Sequence, residues 1–172
     1  MISQQDTICA VESAPGGAIG IIRISGDNAI KHVANIFRPI GKTKFEEKGA
    51  NTITFGKIIT KDEQILDEVL VSLFRAPKSY TGENVVEIAC HGSSYILQQI
   101  LQRLIDEGCR TAQPGEFTKR AFLNGKMDLS QAEAVADLIN SSSVATHRLA
   151  MNQMKGGFSK ELRALRDKLL HL

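Results

Sequence analysis

Cysteine is scarce in this chain of 172 residues: only Cys9, Cys90 and Cys109 occur, an odd number with no C-x-x-C spacing. That pattern argues against a disulfide framework and against a zinc site, and it points to reduced thiols that pack as small hydrophobes in a cytoplasmic protein. Long apolar runs are also missing. No stretch reaches membrane-spanning length, and MISQQDTICAVES lacks the basic region and apolar run of an export signal. No charge excess demands a nucleic-acid partner, since 21 Lys and Arg against 19 Asp and Glu leave a formal charge of +2. From His147 onward Arg148, Lys155, Lys160, Arg163, Arg166 and Lys168 outnumber Glu161 and Asp167. This tilt reads as a solvated helix face, with contact to an anionic polymer as the alternative. There is no internal repeat and no low-complexity segment. At 42% hydrophobic and 23% charged, the chain has room for one substantial core, or for a small domain with an appendage.

What is present begins with APGGAIGIIRIS, from Ala14 to Ser25. A dinucleotide-binding loop needs G-x-G-x-x-G opening a helix, so that backbone amides face the pyrophosphate. Here Pro15 takes the first glycine position, and Gly20 leads into the β-branched run Ile21, Ile22, Arg23 and Ile24, which favours a strand. The dinucleotide reading fails. Arg23 is then a permanent cation in an apolar strand, a costly placement unless an anionic or hydrogen-bonding partner meets it.

Further strands are expected at 7–11, 19–24, 52–59, 68–74 and 85–90, with a short last one at 109–112. The polar turn KDEQ should join the third and fourth as an antiparallel hairpin. Ile30, Val33, Ala34 and Phe37 share one helical face. Ile96, Leu97, Ile100, Leu101, Leu104 and Ile105 share another, which Gly108 should terminate. The order implies an α+β fold rather than a doubly wound sheet. After Pro114 only helical patterns follow. Ser130 and Glu133 read as a capping box ahead of Ala134, Val135, Leu138 and Ile139. Beyond the serines Ser141, Ser142 and Ser143, an apolar stripe of Met151, Met154, Phe158, Leu162, Leu165 and Leu169 runs on without a stop signal. A helix of that kind needs a tertiary partner, so the chain reads as cut inside a helical domain.

Two apparent motifs carry little. Gly41, Lys42 and Thr43 spell the end of a P-loop, but Ile36 stands at the upstream glycine position and Pro39 interrupts the lead-in. Cys90 and His91 look like a nucleophile and its base, yet strand neighbours point to opposite faces. More informative is TGENVVEIACHG, with Glu83 in a turn and Glu87 between Val86 and Ile88. Glu87 either faces solvent or accepts paired N–H donors from a flat heterocycle. Lys126, in FLNGKMDL, sits on an Asn-Gly turn where the sheet gives way to helices; it is either solvated or placed at a ligand cleft.

Taken together, DTICAV, GIIRISG, SYTGENVVEI, HG, PGEFTKRAFLNGKMDLSQAEAVADLI and MKGGFS resemble the MnmE (TrmE) tRNA modification GTPases, in order and at nearly the same spacing. The resemblance covers the whole chain. It implies that residues 1–115 form a folate-binding and dimerisation domain, similar in fold to the one-carbon domain of glycine-cleavage aminomethyltransferases. It implies too that residues 116–172 open an all-α helical domain into which a GTPase domain is inserted. By the same resemblance Arg23, Glu87 and Lys126 contact a 5-formyltetrahydrofolate-type donor. The cations would face folate's oxygens and carboxylates, and Glu87 its aminopyrimidine edge. The family modifies the wobble uridine of certain tRNAs with its flavoprotein partner MnmG (GidA), using GTP, potassium and magnesium. This segment carries neither a complete P-loop nor the terminal Cys-x-Gly-Lys motif and is not expected to hydrolyse GTP alone. The sequence departs from the family in the shorter APGGAIG loop and in Ser93, where a second glycine is usual. The alternatives are a structural dimerisation module with an empty pocket and a freestanding folate-dependent transferase; the FLNGKMDLSQAEA signature opposes the latter.

Overall fold

The computed structural model describes residues 6–139. The serine interruption, the apolar stripe from Met151 and the basic residues after His147 lie outside the described residues. The chain separates into two compact units, one ending at Ala112 and the other beginning at Gln113.

The first unit is one seven-stranded mixed sheet. Its strands are β1 (Ile8–Val11), β2 (Ile19–Ser25), β3 (Phe37–Pro39), β4 (Thr52–Ile59), β5 (Ile65–Phe74), β6 (Val85–His91) and β7 (Arg110–Thr111). They lie in the order β3-β4-β5-β6-β2-β1-β7. Every pairing is antiparallel except β1 with β7. The hairpin expected at KDEQ joins β4 to β5. β3 had no sequence signal: three residues are too few for a visible alternation, and its ladder to β4 creates it.

Alternation decides what each strand buries. Ile22 and Ile24 of β2, Val69, Val71 and Leu73 of β5, and Val86, Ile88 and Cys90 of β6 all turn to one face. There they meet α1 (Ala29–Ile36) and α2 (Ser94–Glu107), through Ala29, Ile30, Val33 and Ile36 from the first and Ile100 and Leu104 from the second. Burying one such aliphatic side chain is worth about 1.5–3 kcal/mol before entropy is counted. Cys9 and Cys109 belong to the same core, and burial with the Asp67 charge pushes the Cys90 thiol up to about 11. α2 ends where Gly108 takes φ 120 and its N–H reaches back to the Ile105 and Leu104 carbonyls. The departure at Ser93 has a local reason: its hydroxyl caps α2 by accepting from the Ile96 N–H.

The second unit contains α3 (Glu116–Leu123) and α4 (Leu129–Ile139). The capping box is not the expected Ser130–Glu133 pair. Asp128 Oδ1 accepts from Gln131 N at 2.8 Å, and Gln131 Oε1 accepts from Asp128 N at 3.0 Å. Asp128 outranks Ser130 because it stands immediately before the first helical residue with a Gln three positions on, which satisfies the two orphan amides reciprocally.

Candidate functional site

The face of the sheet opposite α1 and α2 presents the other half of each strand's alternation. On it Arg23 of β2 stands directly across from Glu87 of β6 in the antiparallel register. Arg23 Nε donates to Glu87 Oε1 at 3.3 Å. The guanidinium is shared with a second carboxylate, Glu12 Oε2, 3.8 Å from Nη1. Its Cζ also lies over the Tyr80 ring, 5.0 Å from the centroid, in cation–π range. So the cation that looked misplaced in an apolar strand has two anionic neighbours and an aromatic one. The three charged side chains are 21%, 30% and 34% exposed for Arg23, Glu87 and Glu12, so this is a half-open cluster and not a buried ion pair.

Tyr80 reaches the cluster from the loop between β5 and β6, which is fastened to β2. Ser25 Oγ donates to Glu83 Oε1 at 2.7 Å and lies 2.7 Å from the hydroxyl of the fully buried Thr81. Gly82 takes φ 82, a left-handed conformation that other residues resist. The turn carrying Glu83 thus holds the loop in place, while Glu87 and Tyr80 face Arg23.

Electrostatics follow from the geometry. Partial burial holds the Glu12 carboxyl above its ordinary value; Arg23 opposes this and the Glu87 charge adds to it. Glu12 and Tyr80 were missed in the sequence. Glu12 stands just past the end of β1, where Glu12 N still donates to Ile21 O, so its alternation with Ala10 was the available signal. Tyr80 sits in a loop without periodicity.

Lys126 belongs to the second unit. It is exposed on the turn after α3, and its N–H closes that helix onto Ala121 O at 2.8 Å. Gly125 takes φ 74, as the Asn-Gly signal implies.

The glycine cluster feeds β2, with Ser13 Oγ accepting from Ile21 N at 2.9 Å. Gly41, Lys42 and Thr43 lie in a loop leading to the single 3-10 turn Phe45–Glu47, not to the α-helix a phosphate loop opens. Cys90 and His91 do diverge: Cys90 is in the core, whereas the exposed His91 places Nδ1 2.7 Å from Oδ1 of the buried Asp67, whose Oδ2 accepts from His91 N. Among the described residues no group of three or more His, Cys, Asp or Glu could hold a metal ion, and no helix is long and apolar enough to cross a membrane.

Comparison with known proteins supplies the remaining constraint. The family described as "GTP-binding protein TrmE N-terminus" matches residues 7–126, and the one described as "MnmE helical domain" matches residues 129–172. The tRNA modification GTPase MnmE of Bacteroides thetaiotaomicron is 68% identical over 169 residues, covering 97% of this chain and 36% of that protein. The protein of the same name from Phocaeicola vulgatus is 57% identical over 199 residues, covering 97% of the chain and 40% of the relative. That from Porphyromonas gingivalis is 54% identical over 171 residues, covering 98% and 36%. The chain therefore spans well under half the length of these relatives.

Proposed function

Because the chain belongs to the TrmE (MnmE) family of tRNA modification GTPases, we propose that it is the folate-binding and dimerisation segment of such an enzyme. Its ligand is a 5-formyltetrahydrofolate-type one-carbon donor, held by Arg23, Glu87 and Lys126. The sheet unit is the folate-binding domain, of the kind found in glycine-cleavage aminomethyltransferases, and the residues from about 116 begin the helical domain.

The observation that carries this reading is the Arg23–Glu87 pair itself. A half-exposed ion pair contributes about 0–1 kcal/mol, too little to account for placing two charges in an apolar ladder. The same pair beside Tyr80 offers a flat heterocycle a carboxylate for its adjacent N–H donors, a guanidinium for its carbonyl oxygen and a ring to pack on. The relatives are named tRNA modification GTPases; within this proposal the reaction of the whole protein is modification of the wobble uridine of certain tRNAs, carried out in the cytoplasm by a homodimer acting with the flavoprotein MnmG. GTP, potassium and magnesium serve the GTPase domain of the whole protein; the described residues contain no loop of that kind.

Titration of 5-formyltetrahydrofolate into the protein, followed by backbone amide NMR shifts, tests the site. Shifts should concentrate at Arg23, Glu87, Tyr80 and Lys126. Shifts confined to other residues, or none at millimolar ligand, contradict it.

A further inference from the structure

Two of the three cysteines meet at one edge of the sheet. Cys9 lies on β1, opposite Ile24 of β2 on one side and Thr111 of β7 on the other. Cys109 precedes Thr111 by two residues, so alternation turns it to the face of Cys9, and its N–H donates to Leu104 O at the end of α2. Both are free thiols in the core, 0% and 4% exposed, and the Cys109 thiol donates to the Cys9 sulfur. Their cover is slight. β7 is two residues long, exposes both side chains and ends the sheet; Arg110 N donates to Thr7 O at 2.8 Å and Ala112 N to Cys9 O at 2.9 Å. An edge of this size opens at a small fraction of the cost of global unfolding. Cys90 shares the core but lies on β6, which is flanked by β5 and β2.

We propose that Cys9 and Cys109 are a redox pair, which hydrogen peroxide oxidises to a disulfide that fastens β7 to β1. Cys9 is the attacking thiol: the hydrogen bond from Cys109 lowers it from its ordinary value against the opposing effect of burial, while that bond and burial both raise Cys109. When β7 opens, the Cys9 thiolate attacks one peroxide oxygen. The S–O bond forms as the O–O bond breaks, and the second oxygen takes up the proton Cys9 released and leaves as water. The Cys109 sulfur then attacks the sulfenic sulfur of Cys9. The S–S bond forms as the S–O bond breaks, and the hydroxyl departs with the Cys109 proton as a second water. The two thiols lose two electrons in all, and the peroxide gains them. Cys109 stands just ahead of Ala112, where the first unit ends, so the bond fixes the last strand of the sheet before the chain enters the second unit.

The test is exposure of the full chain to hydrogen peroxide, followed by unfolding, thiol alkylation and mass spectrometry. The unaltered protein should lose the mass of two hydrogens, yield one cross-linked peptide pair holding Cys9 and Cys109, keep Cys90 alkylatable, and return to its starting mass with dithiothreitol. Cys109→Ala should instead retain one oxygen on Cys9, trapped by dimedone, and Cys9→Ala should leave Cys109 a thiol. In the oxidised protein amide exchange at Arg110, Thr111 and Ala112 should slow and the melting midpoint should rise. Three alkylatable thiols after peroxide treatment of the unaltered protein, or a disulfide that involves Cys90 or joins two chains, would overturn the pair without recourse to the variants. Exchange at Arg110 to Ala112 that is no slower once the bond has formed would overturn the fastening of β7.

Discussion

At the scale of single residues, three charged groups on one sheet face account for most of the chemistry. Glu12 makes its setting measurable through pH. Burial and Glu87 raise its carboxyl above the ordinary value, and a carboxyl raised on folding contributes stability in full below its unfolded value of about 4.5. That contribution is lost as pH rises through the folded value. Glu12→Gln, uncharged throughout, should therefore gain thermal midpoint over the parent between pH 4.5 and neutrality and converge with it below that range. Melts of both proteins across the range check this; parallel curves contradict it. Arg23 and Glu87 were legible in the sequence because a charge inside an apolar β-branched run breaks a strong local pattern. That they are each other's partner was not legible, since residues 64 positions apart meet only through the β2–β6 register. Tyr80 had no periodic context, and its contact with Arg23 depends on how the 75–84 loop folds back.

At the scale of elements, strand bodies and helix faces were readable and junctions were not. The 52–59 strand agrees at both ends, because apolar alternation and a polar turn bound it. The α4 cap was misplaced by two residues, because both Asp128–Gln131 and Ser130–Glu133 satisfy the capping spacing and only the position of the first helical turn separates them. The junction between β6 and α2 shows a constraint no propensity reveals. Gly92 N donates to Ala18 O at 2.8 Å, and a Cβ at Gly92 would overlap the Gly17 carbonyl oxygen. Gly92→Ala must push the glycine loop away from the end of β6, at a cost of about 1–3 kcal/mol or more. Denaturant titration reads this directly, and a stability within about 0.5 kcal/mol of the parent would show that the loop yields freely. The Gly41–Thr43 loop, which opens only a 3-10 turn, should bind no fluorescent GTP analogue. Saturable binding that Lys42→Ala abolishes would contradict that.

At the scale of the whole molecule, the sheet is covered on one face by α1 and α2. On the other it exposes Ile19 (63%), Ile53 (70%), Phe55 (41%) and Leu70 (47%). Phe55 and Leu70 are direct cross-strand partners and Ile53 stands two residues from Phe55 on β4, so these three are neighbours on one surface and not scattered exceptions. A contiguous apolar surface of this kind marks an interface, and symmetric pairing is the commonest way to bury one. The proposed homodimer should form through this face. Phe55→Glu or Leu70→Glu should then shift the protein to monomer in sedimentation equilibrium at tens of micromolar while leaving its melting cooperative. A parent that is already monomeric there, or a glutamate variant that still dimerises, contradicts the assignment.

The central claim is that Arg23 and Glu87 are paired for a folate and not for the fold. Calorimetric titration of 5-formyltetrahydrofolate into the parent, Arg23→Ala and Glu87→Ala, run beside thermal melts of all three, tests it most directly. Loss of one charge-assisted contact should cost about 1.5–3 kcal/mol of binding, a tenfold to hundredfold loss of affinity. The half-exposed setting of the pair limits the loss of folding stability to about 1 kcal/mol. Unchanged affinity in both variants, or melts lowered by the 3–5 kcal/mol of a broken buried pair, would contradict the account.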